Sequence, residues 1–518
     1  MRLLWPVVVL AAALLALPAA GTAATRVPPP LTPSAPDALE RALAGGPISE
    51  ARHALARAES LFARTRTSKR LGAASRPDPR SATMLLRDLA LRLNRLSGAD
   101  RATAESLLER PRWSGSARLC DAHVCVHWTE AGPDAPPGSD GRPSTVPPWV
   151  ATTLAVLGHV WRAEIEGLGY RPPLDDSDAA RHGGDGRLDI YLSDIGDSAY
   201  GYCTSDDPSL GRPSPPSRLS AYCVLDNDFA QAQFPGVHGL PALEVTAAHE
   251  FFHAVQFGYD AWEDTWLMEG TATWIEDEVY DAVDDNRRFL AMSPLTQPEV
   301  SLDVNLPPYH YGAWIFWRYL SERYGDSIVR DVWRLAGAEP DGGLYSLQAA
   351  VAAEAARGSD FASTFADFAV ANRLVKTSYA EGRAYPASRS GAAWRLGRRG
   401  ATTGKRAIRL DHLTSASVVL DPGRRGGRLA LHVDLPARSG ARARVVVVHR
   451  NGTTTMRTLR RDLTLRLAFS RSRVARVLLL FANGSTRIGG CHASPTPFSC
   501  SGVPLDERVT FRFRATLG

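Results

Sequence analysis

The most constraining feature of this sequence is an apolar stretch that contains two histidines and a glutamate. His249, Glu250 and His253 form the pattern HExxH within AAHEFFHAVQF. Residues i and i+4 share one face of a helix, so the two imidazoles can reach the same ion. Burying two histidines and a glutamate among Phe, Val and Ala is costly unless they hold something. The pattern therefore predicts a largely buried helix with a metal ion on one face.

The ligand types indicate zinc, with one ion per chain. Two neutral imidazoles, one carboxylate and an open fourth position for water are typical of a catalytic zinc site. A second helix is expected over 264–280, and it carries Glu269 in WLMEGTATWIE. The small residues after Glu269 predict a close approach to the first helix, which makes Glu269 the expected third ligand. The rival acids in this region are Glu263, Glu276, Asp277 and Glu278.

Three segments together carry a family resemblance: HEFFHAVQFGYD, WLMEGTATWIEDEVYD and YHYGAWIFWRYLSERYG. They resemble the gluzincin clan of zinc metallopeptidases and, within it, a bacterial family of secreted metalloproteases. The resemblance covers about 115–375 and implies an α+β, zincin-like catalytic domain with a helical second half. It also implies that His249, His253 and Glu269 bind zinc, and that Glu250 is the general base in the hydrolysis of a polypeptide.

The resemblance extends to the groups around the metal. Many clan members place an Asp four residues after the ligand glutamate to orient a histidine, whereas this chain has Thr273 there. A hydroxyl, Glu276 or another group must then orient the histidine. Clan aminopeptidases carry an oxyanion-stabilising Tyr three residues before a Gly, which selects Tyr309 in Tyr309-His310-Tyr311-Gly312. Spacing leaves His310 and Tyr311 as alternatives. The segments 188–192 and 199–202 resemble the clan's edge strand, which pairs with an extended substrate.

The N-terminus predicts export. Met1-Arg2, an apolar run to Leu17 and small residues up to Ala24 are typical of a signal peptide over 1–24. No later segment is apolar enough to cross a membrane, so a secreted or cell-envelope protein is expected. An even number of cysteines in an exported chain predicts disulfides. Pairing of nearest neighbours joins Cys120 to Cys125, Cys203 to Cys223, and Cys491 to Cys500.

Charge divides the chain into three parts. Residues 1–114 carry a net charge of +8, 115–394 carry −21 and 395–518 carry +18. We expect a helical pro-region or N-terminal domain over 25–114, the metallopeptidase domain over 115–394, and a basic, all-β sandwich over 395–518. The N-terminal part follows the signal peptide, is basic and lacks cysteine, which favours a removable inhibitory segment that does not block the metal with a thiolate.

Two interpretations account for the basic flanks. Each flank docks on the acidic middle, or the tail binds an anionic cell-envelope polymer or membrane surface. Nucleic acid is disfavoured because the tail has few aromatic residues to stack on bases.

The remaining signals are weaker. An acidic, Gly-rich loop over 175–189 could bind calcium, but its spacing does not match an EF-hand, and a solvated turn is favoured. The function expected overall is a secreted zinc endopeptidase. Two alternatives remain open: a cell-envelope binding protein with an inactive zincin core, and a zinc amidase acting on cell-wall peptides.

Overall fold

The structure is a computed structural model with a mixed α/β architecture. It describes residues 48–62, 82–142, 144–196, 199–214, 216–337, 344–389, 391–424, 426–437, 440–492 and 496–518. The predicted signal peptide over 1–24 lies outside the described residues. None of the helices in these ranges is long and apolar enough to cross a membrane.

A five-stranded sheet forms the first half of the central part. Its strands are β1 (Ser116–Cys120), β2 (Val124–Thr129), β3 (Leu188–Ser193), β4 (Gly201–Thr204) and β5 (Tyr222–Asp226). They lie in the order β1-β2-β3-β5-β4, with β2, β3 and β5 parallel and the two edge strands antiparallel to their neighbours. Strands β2 and β5 are buried along their whole length. Such continuous apolar runs are typical of strands covered on both faces.

Helices surround this sheet and make up the second half of the central part. They are α1 (Glu50–Phe62), α2 (Ala82–Ala90), α3 (Gly98–Leu107), α4 (Pro148–Trp161), α5 (Gly239–Asp260), α6 (Thr265–Tyr280), α7 (Tyr309–Gly312), α8 (Trp314–Tyr324), α9 (Ser327–Ala336), α10 (Ser346–Ala355), α11 (Phe361–Arg373) and α12 (Val375–Ser378). A π-helical turn at Arg162–Gly167 extends α4, and a 3-10 helix spans Asp285–Met292. Helix α5 contains the HExxH pattern and is buried around nearly its whole circumference, as its apolar sequence predicts.

Two large sheets and one two-stranded sheet form the C-terminal part, whose first strand begins at Ala392. The strands are β6 (Ala392–Leu396), β7 (Arg406–Leu410), β8 (Thr414–Pro422), β9 (Gly427–Asp434), β10 (Ala441–His449), β11 (Thr454–Leu459), β12 (Leu463–Phe469), β13 (Val474–Asn483), β14 (Ile488–Gly489), β15 (Val503–Pro504) and β16 (Val509–Leu517). One large sheet has the order β11-β10-β13-β8-β6, the other has the order β12-β9-β16-β7, and β14 pairs with β15 in the two-stranded sheet. Inward side chains of the two large sheets share one hydrophobic cluster. The predicted β10–β11 hairpin is present, with Val448 opposite Thr454.

The N-terminal helices share a hydrophobic core with the central part. Leu86 and Leu89 of α2 are fully buried in the same cluster as Phe251 and Trp274. Arg110 then follows α3 and places its guanidinium among three carboxylates, at 2.6 Å from Asp176, 2.5 Å from Asp189 and 2.8 Å from Asp206. The chain up to Arg110 is therefore tied to the sheet by charge as well as by apolar packing.

The basic tail docks on the acidic middle through buried polar contacts. Arg444 of β10 lies 2.7 Å from Asp367 of α11. Apolar residues of β8, β10 and β13 pack on Val370 of the same helix. The backbone N–H of Cys500 donates to the carboxylate of Asp264, at the start of α6. Docking accounts for part of the charge asymmetry between the middle and the tail.

The three disulfides join the nearest-neighbour pairs that the sequence predicts. They link Cys120 to Cys125, Cys203 to Cys223, and Cys491 to Cys500. The second bridge joins directly opposed residues of β4 and β5. It therefore fastens the edge strand to the sheet beside helix α5.

Candidate metal centre

The predicted metal ligands converge where helices α5 and α6 pack together. Nε2 of His249 lies 3.2 Å from Oε2 of Glu269, and Nε2 of His253 lies 3.6 Å from the same oxygen. One ligand atom from each of the three residues falls within 4.8 Å of the others. His253 and Glu269 are completely buried.

The two separations to Glu269 match those expected between ligands of a tetrahedral zinc ion. Bonds of about 2.0–2.1 Å place tetrahedral ligand atoms about 3.3 Å apart, close to both of the separations given above. Nε2 of His253 is buried and has no hydrogen bond to any described residue. A lone pair left in that position is costly unless an ion receives it. The donor set of two imidazoles and one carboxylate is also one that zinc prefers.

Each histidine is held by an acceptor at its other ring nitrogen. Oε1 of Glu276 lies 2.7 Å from Nδ1 of His249, and Oε1 of Gln256 lies 2.7 Å from Nδ1 of His253. The amide nitrogen of Gln256 donates to the carbonyl of Met268, which sets the orientation of that amide. With a proton on each Nδ1, both Nε2 atoms present lone pairs to the metal position.

Glu276, rather than Thr273, is the residue of α6 that contacts Nδ1 of His249. It lies seven residues after Glu269, two helical turns further along the same face of α6. The hydroxyl of Thr273, the residue at the clan's usual position, has no hydrogen bond to a described residue. The longer glutamate side chain thus reaches back to His249, one of the alternatives that the sequence leaves open. Gln256 was missed by sequence reasoning, although its position three residues after His253 puts it on the same helix face.

Burial and neighbouring charges set the ionisation of the centre. Burial by itself raises the pKa of Glu269, but His249 and His253 beside it hold that pKa well below its ordinary value. Burial lowers the pKa of His249, but its hydrogen bonds to the carboxylates of Glu269 and Glu276 and the negative charges around it together outweigh burial and raise that pKa. Glu269 is therefore an anionic ligand at neutral pH. Burial raises the pKa of Glu250, which makes this carboxylate a stronger base.

Glu250 faces the edge strand β4. A Cβ atom on Gly201 would lie 3.0 Å from Cγ of Glu250, so a larger residue there would require the glutamate side chain to shift by a few tenths of an ångström. Oε2 of Glu250 accepts a hydrogen bond of 2.9 Å from the hydroxyl of Thr83 in α2. The same hydroxyl accepts a 2.9 Å bond from the backbone N–H of Cys203. No local pattern marks Thr83, because it meets Glu250 only through tertiary packing.

A cleft opens to solvent beside His249. Its wall includes His249, Glu250, Gly201 and Tyr311. The ring of Tyr311 lies 6.2 Å from that of His249 and stacks on Phe289 at 4.8 Å. The rest of the wall combines apolar and charged groups: Tyr200, Val237, Ala242, Val245, Thr246, Glu276, Asp285, Arg288 and Phe289.

Tyr309, the residue that the resemblance selects as oxyanion donor, does not line this cleft. It is buried, and its hydroxyl donates to the carbonyl of Val300 at 2.9 Å. His310 is also buried and absent from the cleft wall. Because α7 is a single helical turn, its three consecutive side chains point in different directions, and the turn directs Tyr311 toward His249.

The small residues after Glu269 serve two contacts, and the one made by Gly270 differs from the one expected. Gly270 faces α8, and a Cβ there would come within 2.8 Å of Nε1 of Trp317 and 3.4 Å of Ala313. The face of α6 that meets α5 instead presents Met268 and Thr271, which accept hydrogen bonds from Gln256. Gly270 therefore brings α6 close to α8 rather than to α5.

The carboxylates of the 175–189 loop have partners within the protein. Arg110 binds Asp176 and Asp189, and Arg187 lies 2.7 Å from Asp185. Asp175 accepts the backbone N–H of Ser177 in a turn. These contacts favour an arginine-bridged turn, with Asp176 and Asp189 buried, over calcium binding.

Comparisons with known proteins add no family assignment. No family model matches the chain, and no curated protein matches it. One solved structure with some similarity is the Yersinia pseudotuberculosis-derived mitogen. It is 10% identical, and the matched region covers 23% of this chain and 87% of the mitogen, with a TM-score of 0.16. A similarity of that size carries no argument about fold or activity.

Proposed function

We propose that this chain is a secreted, zinc-dependent peptidase of the gluzincin type, with a zincin-like core and a C-terminal β-sandwich. The observation that carries the proposal is the convergence of His249, His253 and Glu269 beside a cleft whose wall also contains Glu250. An inactive metal-holding core needs no general base, whereas Glu250 is buried at the cleft and has a raised pKa. The disulfides and the apolar N-terminal run are compatible with an extracellular location.

The residues divide the chemistry of peptide hydrolysis between them. Zinc, when bound, lowers the pKa of a water molecule and polarises a carbonyl group. Glu250 accepts the proton of the attacking water at its carboxylate and delivers it to the leaving amine. Glu276 and Gln256 hold the two histidines in the tautomer that binds metal.

Tyr311 is the oxyanion donor in this proposal. Negative charge grows on the carbonyl oxygen of the substrate during attack, and a positioned hydroxyl stabilises it. Tyr311 is the residue of the Tyr309–Gly312 turn that lines the cleft with Glu250 and His249. The role therefore passes from Tyr309 to Tyr311.

The substrate in this proposal is an extended polypeptide lying along β4. This strand is at the edge of the five-stranded sheet, with Gly201 at the cleft. An extended backbone can pair with the free edge of such a strand.

The test compares the wild type with Glu250→Gln and His253→Ala. We expect one zinc per wild-type chain and hydrolysis of an unfolded protein such as reduced casein. Glu250→Gln should keep the zinc and lose hydrolysis, while His253→Ala should lose both. Hydrolysis of cell-wall muropeptides without casein cleavage would favour the amidase alternative. Full activity of Glu250→Gln would overturn the mechanism.

A second candidate function, binding of an anionic cell-envelope polymer, is favoured by the outer face of the sheet β12-β9-β16-β7. Inward residues such as Phe511 and Phe513 are buried, so the residues between them point to solvent. Strand register places six exposed basic residues in a diagonal stripe across all four strands: Arg428, Arg466, His432, Arg514, Arg512 and Arg409. Of these, Arg512 has an acidic neighbour, at 3.9 Å from Asp434.

Binding of a linear polyanion tests this candidate. Replacing Arg428, Arg466 and Arg514 with Gln should weaken binding to polygalacturonate about 10-fold or more at low salt, because polyelectrolyte affinity scales with the number of paired charges. The matched control replaces Arg457, Arg460 and Arg461, which lie on or beside β11 in the other sheet. Equal losses of affinity in both triple variants would show that binding depends on net charge and not on the position of these arginines.

A further inference from the structure

We propose that helix α2 keeps the peptidase latent by placing Thr83 between the catalytic base and the substrate-binding edge of β4. The inference rests on the proposed function and concerns the regulation of the same site. It specifies which part of the N-terminal segment blocks the cleft and by which contacts.

Thr83 engages both groups that a substrate would need. Its hydroxyl donates to Oε2 of Glu250 at 2.9 Å and accepts from the N–H of Cys203 at 2.9 Å. An extended substrate paired with β4 would offer a carbonyl to that N–H, and its attacking water would lie against that carboxylate. Thr83 thus occupies the hydrogen-bonding groups of both the base and the edge strand. It does so without binding the metal itself.

The cleft is open along only one part of the edge strand. Its wall reaches Tyr200 and Gly201, at the start of β4. Two residues further along, Cys203 is fully buried under α2 and bonded to Thr83. A polypeptide that follows β4 would collide with the helix, so the full chain admits an extended substrate only while α2 is displaced from β4, and its casein hydrolysis is slow.

Apolar packing and one cation hold α2 in this position. Leu86 and Leu89 are fully buried. The guanidinium of Arg87 donates to the carbonyl of Glu263 at 2.7 Å, at the turn between α5 and α6. These contacts attach α2 to the two helices that carry the metal ligands.

The contacts of Arg110 limit what can be removed. Its guanidinium compensates three carboxylates, of which Asp176 and Asp189 are buried. Removing the chain up to 114 would leave those charges unpaired in the interior, which is strongly destabilising. The activating break must therefore fall after α2 and before Arg110. Ser97 and Gly98 are exposed and lie in that interval.

The experiment uses the whole secreted chain with a specific protease recognition sequence inserted between Ser97 and Gly98. Hydrolysis of that one peptide bond, with water as co-reactant, frees the segment that carries α2, and dilution with size-exclusion chromatography removes it. We expect casein hydrolysis to rise at least 10-fold after cutting and removal. Removal of zinc by a chelator should also become faster. The same protein carrying Glu250→Gln is cut in parallel and should stay inactive.

A peptide of residues 82–97 supplies a second measurement that does not depend on activity. It should bind the cut protein and restore slow zinc removal. The affinity of the Thr83→Val peptide should be about 10-fold lower, because Oε2 of Glu250 loses its donor and the N–H of Cys203 loses its acceptor. Arg95→Ala is the matched control, since Arg95 is exposed and its nearest acid, Glu50 of the N-terminal segment, lies 3.9 Å away.

The outcomes separate the inference from the proposed function. If the uncut and cut proteins hydrolyse casein equally, α2 does not impose latency and the peptidase assignment stands. If the peptide binds with the Thr83 dependence but no form hydrolyses a peptide bond, the docking contact is real and the peptidase assignment fails. Equal affinities of the wild-type and Thr83→Val peptides would overturn the contribution of Thr83.

Discussion

At the scale of single residues, each histidine of the centre has one ring nitrogen committed to a neighbour and the other directed to the metal position. Glu276 serves His249, and Gln256 serves His253. Such partners fix ring orientation and raise ligand basicity, so they affect metal affinity without touching the ion.

Glu276→Ala should weaken zinc binding about 10- to 100-fold, because His249 loses the acceptor that holds its ring. Competition with a zinc-binding dye measures the affinity. Glu276→Gln keeps an acceptor oxygen and should recover most of it. Thr273→Ala is the matched control at the clan's usual aspartate position, and a larger loss there than in Glu276→Ala would contradict the assignment.

Tyr311→Phe should lower turnover of a peptide substrate about 100-fold or more, with zinc content unchanged, because the growing negative charge loses its donor. Tyr309→Phe should keep turnover near the wild-type value, since the Tyr309 hydroxyl bonds Val300 outside the cleft. Steady-state kinetics with metal analysis checks both variants. The reverse pattern would restore Tyr309 as the donor.

At the scale of elements, the short turn α7 is directed by its packing on the 3-10 helix at Asp285–Met292. Gly312 ends the turn against the backbone of Met292, and Phe289 of the 3-10 helix stacks on Tyr311. The conformation of α7 thus depends on a close backbone approach, and this approach brings Tyr311 to the cleft.

Gly312→Ala should destabilise the fold by about 1–3 kcal/mol, because its Cβ would overlap the carbonyl oxygen of Met292 and force the backbones apart. Thermal unfolding measures the change, and turnover should also fall as Tyr311 moves. Gly236→Ala is the control, since nothing lies within 4 Å of a Cβ there. An unchanged unfolding temperature for Gly312→Ala would show that the backbones at Gly312 and Met292 can move apart at no cost in stability.

At the scale of the whole molecule, the tail is joined to the central part through buried polar groups. Asp303 lies 3.2 Å from Nε2 of His412 and accepts the N–H of Ser499 at 3.2 Å. Burial raises the pKa of Asp303, but the hydrogen bond and charge of His412 and the hydrogen bonds from Ser301 and Ser499 together outweigh it and hold the pKa below its ordinary value.

A depressed carboxyl pKa stabilises the folded state above the ordinary value of about 4, and the stabilisation is lost as pH falls through the lower folded value. We therefore expect the denaturant concentration at the unfolding midpoint of the tail to decrease as the pH is lowered below about 4. Asp303→Asn should lower stability at pH 7 and flatten this acid dependence. An equally steep dependence in Asp303→Asn would assign the acid transition to other carboxyl groups.

The sequence by itself determined the features that follow from short-range geometry. The i, i+4 spacing of His249 and His253 places both on one helix face whatever surrounds the helix. Nearest-neighbour pairing of the cysteines and the β10–β11 hairpin are similarly local, and the structure contains both. The position of Glu269 followed from its helix and the family resemblance rather than from its own spacing.

Tertiary structure decided the contacts between distant segments. Thr83 meets Glu250 across 167 residues, and Arg110 meets Asp189 across 79, so no periodicity relates either pair. The choice of Tyr311 over Tyr309 depends on how one helical turn packs against Met292 and Phe289. Helical and strand periods are properties of the local backbone, whereas these pairings arise only when separate elements bury a common surface, and that burial selects which polar groups face each other.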